Sequence, residues 1–471
     1  MSANATSGFN IIRAGVEFFG QLLAPKAVQG AVQAVVPEGA ATRSAFVASQ
    51  CLPLINPSAP WLGHLMHFER YANGIAPRPN NPLATFTQVD ERFRPGSRTL
   101  TFPLPQFSAP RDWCRVLTTS DANPTLHSHY VQPTTVTVPV HPQIEGDSTV
   151  PQMDALAACP RTTVPACASS SSRTLFVDNP NLPIHCVKLH FPHQITRAQR
   201  HLGGRKIEHS VALSQHIANT PALLTNRFFG YMPESLGVIY GSGDSSWGYL
   251  VRELIPRPLT NRNHPIVPLF SLYAKDTLNP DQPALLTRLI ESSGLAPEEF
   301  VLEKILYPLI HCWVDTYLKT GIILEAHGQN TLIEFNPQGT PLRFIFRDFD
   351  TFLSRDLAER SGLACDHLTV PKVGLAVGTD AAPSTAELLS LVYDTQMKVA
   401  FDQIADVMES KYGVSKETLQ QKCQSYMRQV FPEGDQHFPK GEVYNYQKDA
   451  VIRIGKRSVF KPVAGQKPEW R

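Results

Sequence analysis

The stretch Glu325-Ala326-His327-Gly328-Gln329-Asn330, followed after a short hairpin by Arg347-Asp348-Phe349-Asp350, concentrates a carboxylate, an imidazole, two amides, a guanidinium and two further carboxylates around one apolar β-pair. A hydrophobic core has no use for that inventory, because buried ionisable groups cost free energy unless they are paired. The chemistry within their reach is the handling of anions. Asp348 or Asp350 can hold Mg²⁺, which takes one or two carboxylates together with phosphate oxygens, and His327 can contact phosphate or carry a proton. Period two places Arg347 and Asp348 on opposite faces of an extended strand, so they are not simply each other's partner. The bland alternative is a satisfied histidine in a turn beside a surface aspartate pair.

Two more clusters could bind an anion. Ser169-Ser170-Ser171-Ser172-Arg173, with Thr174, combines hydroxyls and one guanidinium just before a strand, although a polar loop has the same composition. Lys188 lies on a strand, and Thr196, a good N-cap, is predicted to open a helix on which Arg200 shares its face, so that free amides and cations converge. Basic residues at helix starts are more often solvated surface. His64-Leu65-Met66-His67 suggests a metal to the eye, but it lacks the HExxH spacing and any nearby cysteine pair, which leaves structural or substrate-contacting histidines. Tyr240–Ser246 is glycine- and serine-rich but lacks the Gly-Lys-Ser/Thr ending of a phosphate loop, and reads as a turn.

The elements that must position these residues are legible in part. A helix is expected over Asn10–Leu23, followed by proline-punctuated text; with 40 prolines, many connections should be stiff turns. From about Thr134 the chain turns β-rich: residues 135–140, 173–177 and 185–191 alternate as strands of one antiparallel sheet. The last third is mostly helical. Pro297-Glu298-Glu299 opens a helix that runs to Gly321 as its C-cap, residues 331–335 and 343–349 form a hairpin around Asn336–Thr340, and helices are predicted over 385–409 and 415–430.

A chain of 471 residues, 42% of them hydrophobic, exceeds what one core usually serves, so two or three domains are expected. A formal charge of +2 gives no global attraction to nucleic acid or to a membrane, and any anion site must be local. The eight cysteines contain no CxxC pair, which fits a reduced, cytoplasmic protein. No apolar run approaches membrane-spanning length, and no signal peptide is read.

Taken in order, Gly63–Phe68, Pro139–Ile144, Ser169–Thr174, Lys188–Arg200, Glu325–Asn330 and Arg347-Asp348 resemble the IucA/IucC family, the synthetases that assemble siderophores independently of nonribosomal peptide synthetases. That family carries Gly-His-Pro-x-His-Pro, Pro-Val-His-Pro-Trp-Gln, Thr-Ser-Ser-x-Arg-Thr, Lys-Leu-Ser-Leu…Ile-Thr…Arg, and Glu-Ala-His-Gly-Gln-Asn followed by Arg-Asp. The hexapeptide is matched without a change. The resemblance implies an α+β cupped-hand fold of three domains: a mostly helical thumb over 1–125, β-rich fingers over 126–275 and an α+β palm over 276–471, with the site between fingers and palm. It implies a ligase that adenylates a polycarboxylic acid, commonly citrate, with ATP and Mg²⁺ and passes the acyl group to an amine or hydroxyl.

By motif match, Ser171, Arg173, Lys188, Thr196, Arg200, His327, Gln329, Asp348 and, more loosely, Lys448 surround ATP. His141, Ser170, Arg173 and Glu325 face the acid, and Asp348 and Asp350 face the metal. His327, Arg200 and Lys188 are the expected catalytic groups. Small-molecule substrates are the expected partners, with no nucleic acid and no membrane, and a homodimer is left open. There are departures. Leu65 and Phe68 replace the prolines of the first motif, Tyr71 and Asn73 stand where the family has Lys and Arg, and Gln143-Ile144 replaces Trp-Gln. They motivate a second reading, a catalytically lapsed homologue that still binds nucleotide or carboxylate. A kinase-like reading, prompted by Asp348-Phe349-Asp350, lacks the glycine-rich loop and catalytic aspartate it would need.

Overall fold

Strands β1 (Phe102–Pro110), β2 (Cys114–Thr118), β3 (Thr135–Pro139), β4 (Arg161–Ala168), β5 (Thr174–Val177), β6 (His185–Leu189), β7 (Phe191–Ile195), β8 (Ala198–Arg200), β9 (Phe229–Tyr231), β10 (Glu234–Tyr240) and β11 (Trp247–Glu253) follow one another along the first half of the chain. All but β7, β8 and β9 join one antiparallel sheet in the order β2-β10-β11-β6-β5-β4-β1-β3. This computed structural model describes residues 60–73, 86, 88–195, 198–261, 264–365, 368, 383–448 and 458–471. The expected helix over 10–23 lies outside them.

The two faces of the sheet differ because side chains alternate along each strand. Leu175, Val177, Val187, Leu189, Tyr249 and Val251 point into a large apolar core that also takes in Leu126 and Tyr130 from a short helix. Cys186, Lys188, Leu250 and Arg252 occupy the other face, since Cys186 pairs in register with Arg252 and Lys188 with Leu250. Glu234 belongs to that second face only because the register slips between Glu234 and Leu236; the bulge sets Glu234 opposite Arg252 while Leu236 and Val238 stay in the core.

The sheet begins earlier than a fingers boundary at 126 would place it, with β1 and β2. Pro103 and Pro105 obscure β1 in the sequence, but they lie where β1 pairs with β4 alone, so their missing N–H groups break no ladder on the β3 side.

The second half of the chain adds β12 (Ile266–Pro268), β13 (Ile322–Ile323), β14 (Thr331–Phe335), β15 (Pro341–Phe346), β16 (Phe352–Leu353), β17 (Tyr444–Lys448) and β18 (Ser458–Pro462). A smaller sheet has the order β12-β14-β15-β9, with β9 parallel to β15. The five longest described helices are α1 (Pro60–Tyr71), α2 (Gly204–Ala218), α3 (Tyr307–Thr320), α4 (Lys398–Tyr412) and α5 (Lys416–Val430). Helix α1 lays Trp61, Leu62, Leu65 and Met66 between Cys167, Phe176 and Cys186 of the large sheet and Ile266, Leu332 and Ile345 of the small one. On the same face of the large sheet, α2 sets Ile207 and Val211 against Ile239 and Leu250, an approach that the missing side chain of Gly237 permits.

The predicted hairpin and late helices are present. The helix opened by Pro297 passes through a π turn at Leu302–Leu306 before α3 and stops at Gly321, whose φ of 73° suits a C-terminal glycine. The helix predicted over 385–409 likewise carries a π turn at Leu391–Met397.

Two expectations are corrected. The helix drawn from Thr196 to Arg200 is instead the β7–β8 hairpin, with Phe191 paired to Arg200; Thr196 itself lies outside the described residues, and the helix starts only at Gly204. Burial of Phe191 and Ile195 at alternating strand positions outweighs the N-cap signal. Arg347 and Asp348 lie beyond the end of β15, so their different directions come from the irregular backbone there, with Asp348 at a φ of 71°, and not from the pleat. Among the described residues no helix is long and apolar enough to cross a membrane.

Trp313 anchors the helical layer: its ring meets Tyr317, Tyr393 and Phe438, and its N–H donates to the Leu324 carbonyl at 3.0 Å. Trp313→Ala should cost about 3–5 kcal/mol, measured as a lowered midpoint in urea unfolding.

Candidate active site

Three segments converge where the second face of the large sheet meets the end of α1 and the β14–β15 hairpin. The first is the serine turn between β4 and β5. It is closed by Ser169 N–H to the Thr174 carbonyl at 3.0 Å and by Thr174 N–H to Ser171 Oγ at 3.1 Å, and Ser172 is held at a φ of 63°. Arg70 of α1 grips its base: Nη1 donates to the Ala168 carbonyl at 3.0 Å, and Nη2 donates to the carbonyls of Ser97 at 2.9 Å and Thr99 at 2.7 Å. Glu69, next to it, accepts the Ser170 N–H at 3.0 Å.

The second segment is the turn Glu325–Asn330. The Gln329 N–H donates to His327 Nδ1 at 3.2 Å, which leaves the ring proton on Nε2. Gln329 Nε2 reaches Ser170 Oγ at 3.0 Å and so ties this turn to the serine turn. A side chain at Gly328 would collide with the Tyr273 hydroxyl and with Phe270, whose N–H donates to the Gly328 carbonyl at 3.0 Å, so the unchanged glycine of the hexapeptide is a packing requirement.

The third segment is Arg347–Asp350. Arg347 donates Nε and Nη2 to the Gln329 carbonyl at 3.0 and 2.8 Å and lies 2.5 Å from Glu69. Asp348, at a φ of 71°, accepts Lys188 Nζ at 2.5 Å. Glu234 meets Arg252 at 2.6 Å, lies 3.9 Å from Lys188 and accepts the Phe349 N–H at 3.2 Å. Asp350 pairs with Lys206 at 3.2 Å.

Burial tunes these groups. It lowers His327 to about 4, so the imidazole is neutral near pH 7, with its proton on Nε2. Glu325 is raised to about 7, by burial first and then by Asp348 and Asp350, against a hydrogen bond from Gln396. Burial also opposes the charge on Asp348, but Lys188 and Arg252 outweigh it and keep the carboxyl well below the usual range. Arg173 comes down to about 10 through burial and the neighbouring Arg200, which burial lowers as well.

Most of the sequence candidates therefore share one cluster: Ser170, Ser171, Arg173, Lys188, Arg200, Glu325, His327, Gln329, Asp348 and Asp350. Arg200 reaches it from β8, and Arg173 Nη1 donates to the Arg200 carbonyl at 3.1 Å. His141 is wholly buried between Phe93 and Phe191, with Nε2 unpartnered and burial lowering it to about 3. Lys448 ends β17, and its side chain is not among those described. His67 pairs with Asp276 at 2.7 Å, a structural contact, and Gly241–Ser246 is the β10–β11 turn. Sequence reasoning missed Glu69, Arg70, Glu234, Arg252 and Lys206. Only Glu69 and Arg70 carried a signal, as charges on the apolar helix that follows the HxxH pair.

A cavity of about 310 Å³ lies at the far end of the hairpin, with Trp61, Ile184 and Leu259 in its wall. Its charged residues are already spent on each other: Glu334 pairs with Arg343 at 2.5 Å and with His264 at 2.7 Å.

Residues 300–440 match the family described as ferric iron reductase FhuF-like transporter. The chain is 31% identical over 210 residues to the L-2,3-diaminopropanoate–citrate ligase of Staphylococcus aureus, a match covering 41% of this chain and 34% of that protein. It thus spans about a third of the length of that curated relative. The petrobactin biosynthesis protein AsbB of Bacillus anthracis superposes with a TM-score of 0.60 at 19% identity, over 81% of this chain and 70% of that one. ATP-bound aerobactin synthetase IucA of Klebsiella pneumoniae gives 0.56 at 16%, over 76% and 68%, and IucC gives 0.56 at 18%, over 75% and 66%. The mixed α+β architecture of this chain is similar to that of these synthetases.

Proposed function

We propose that this protein is an ATP-dependent ligase that adenylates a polycarboxylic acid, citrate or a similar one, and condenses it with an amine or hydroxyl acceptor in making a siderophore or related metabolite. The observation that carries the reading is the convergence of Ser170, Arg173, Lys188, Arg200, His327 and Asp348 from separate segments onto one face of the sheet. ATP, with Mg²⁺ on its phosphates, supplies the activation: an acid oxygen bonds to the α-phosphorus and pyrophosphate leaves. The acceptor nitrogen or oxygen then bonds to the acyl carbon, AMP departs, and the acceptor gives up a proton.

The chain's own groups suit that task. Fixed cations and donors, aimed where charge develops in a partly dry site, lower the barrier without reorganising. Lys188, Arg173 and Arg200 supply the charge. His327 is neutral and protonated on Nε2, which favours the role of donor to a phosphate oxygen over that of proton carrier. The carboxylates of Asp348 and Asp350 fit the one-or-two-carboxylate habit of Mg²⁺. Ser170, Arg173, Glu325 and His141 remain the proposed contacts for the acid, and Ser171, Thr196, Gln329 and Lys448 for the nucleotide.

The lapsed-homologue reading rests on the drift of the front motifs, in which Tyr71, at the end of α1, and Asn73, just past it, stand in place of the family's Lys and Arg. Both are spent on structure, Tyr71 donating to the Ser97 carbonyl at 3.2 Å and Asn73 to the Glu69 carbonyl at 3.1 Å.

Pyrophosphate release with ATP and Mg²⁺ decides between the two readings, across citrate, 2-oxoglutarate, succinate, malate and aspartate, with hydroxylamine as acceptor. Release with one acid, together with its hydroxamate, is expected. ATP binding with silence across the panel would favour the lapsed homologue, and ADP as product would point to a kinase. Arg200→Ala and His327→Ala should each lower release by at least about 10²-fold with the thermal midpoint little changed; near-normal release in both would refute the site.

Glu325 gives a pH signature. Its folded value of about 7 exceeds the ordinary 4.5, so the stability it contributes is complete below about 4.5 and is lost as pH rises through 7. Glu325→Gln removes that loss. The variant's thermal midpoint relative to the wild type should therefore improve between pH 5 and pH 8.

A further inference from the structure

Two carboxylates that the proposed chemistry leaves unused flank Arg347–Phe349 from different elements. Glu69, at the end of α1, is wholly buried; Oε1 lies 2.5 Å from Arg347 Nη2 and Oε2 accepts the Ser170 N–H at 3.0 Å. Glu234, on the bulged end of β10, is equally buried; Oε1 meets Arg252 at 2.6 Å and Oε2 accepts the Phe349 N–H at 3.2 Å. Between the two held residues stands Asp348 at a φ of 71°, a left-handed backbone that is uncommon for a residue with a side chain, although aspartate adopts it more readily than most.

We infer that Glu69 and Glu234 are positioning residues that clamp this segment from both sides. Glu69 fixes Arg347 through its guanidinium and Glu234 fixes Phe349 through its amide, so the left-handed residue between them is held from both sides. The carboxylate of Asp348 is thereby kept 2.5 Å from Lys188. Glu69 also joins the serine turn to the same clamp, so one helix end sets two walls of the site. The clamp stands on geometry alone, and its consequence for turnover rests on the ligase reading.

The test uses the full chain and three near-isosteric variants, Glu69→Gln, Glu234→Gln and Glu334→Gln. Glu334 is the control: it is as buried and as well paired, to Arg343 at 2.5 Å, but it sits at the far end of the hairpin. Amide hydrogen exchange over residues 344–352 should quicken by about tenfold or more in the first two variants and stay at the wild-type rate in the third. Pyrophosphate release should fall about 10²-fold in kcat with the ATP KM nearly unchanged, again in the first two only. Glu69→Gln combined with Arg347→Gln should lose less than the sum of the two single losses, because Glu69 acts on Asp348 through Arg347.

Should Glu234→Gln fail to fold, Glu234→Asp keeps the charge, shortens the reach to Phe349 and carries the same expectation. Wild-type exchange rates at 347–349 in both Glu69→Gln and Glu234→Gln would overturn the clamp. Equal losses in the Glu334 variant would overturn it too, by showing that loss of any buried pair has the same effect. Quickened exchange in the Glu69 and Glu234 variants of a protein whose wild type releases no pyrophosphate would sustain the clamp and sink the ligase reading instead.

Discussion

A carboxylate taken out of water must find a cation, and a cation a carboxylate, or the fold loses about 3–5 kcal/mol for each partner left alone. That constraint organises this molecule. Lys188 and Arg252 rise from one face of the large sheet beside Glu234, which shares that face; Asp348 and Phe349 come down from the hairpin end to complete the group. Glu69 and Arg347 repeat the arrangement at the end of α1. Because every ion belongs to a different element from its partner, the charges act as a register. The sheet, the helix and the hairpin can meet in one arrangement only.

Apolar packing brings the elements to within reach of that register. Helix α1 buries four large residues between the two sheets, and its last turn then delivers Glu69 and Arg70 to the serine turn. The direction of the helix is therefore set by its hydrophobic stripe and its function by two charges at its end. The same division of labour holds for α2, whose Ile207 and Val211 pack on the sheet while His209 Nε2 reaches the Thr351 carbonyl at 2.8 Å, next to Asp350.

The balance of charge also explains why burial does not simply silence the site. Burial leaves His327 neutral and pushes Glu325 up to about 7, whereas Asp348, facing Lys188 and Arg252, stays ionised. Neighbouring side chains of similar chemistry thus stand in different protonation states near neutral pH. The proposed ligase, which would hold anions and accept a proton from its acceptor, has use for that spread.

Much of this was legible in the chain itself. The hexapeptide Glu325–Asn330 and the Arg347-Asp348 pair announced a site through an excess of polar groups on an apolar hairpin, and the alternation in 174–177 and 185–189 marked two adjacent strands. The long helix ending at Gly321 followed from its apolar period and its cap. These are local properties, set by neighbours within a few residues, and local sequence determines them. What required the tertiary structure was every relation across long separations. No local pattern shows that a bulge after Glu234 turns its carboxylate to the face of Lys188, that Pro103 and Pro105 of β1 fall where only β4 pairs with them, or that Arg200 rides a hairpin and not a helix. The partners of Glu69 lie 101 residues away at Ser170 and farther still at Arg347. A charge in sequence specifies only that some partner is needed; which one it meets is decided when distant segments pack, because pairing energy depends on distance in space and not along the chain.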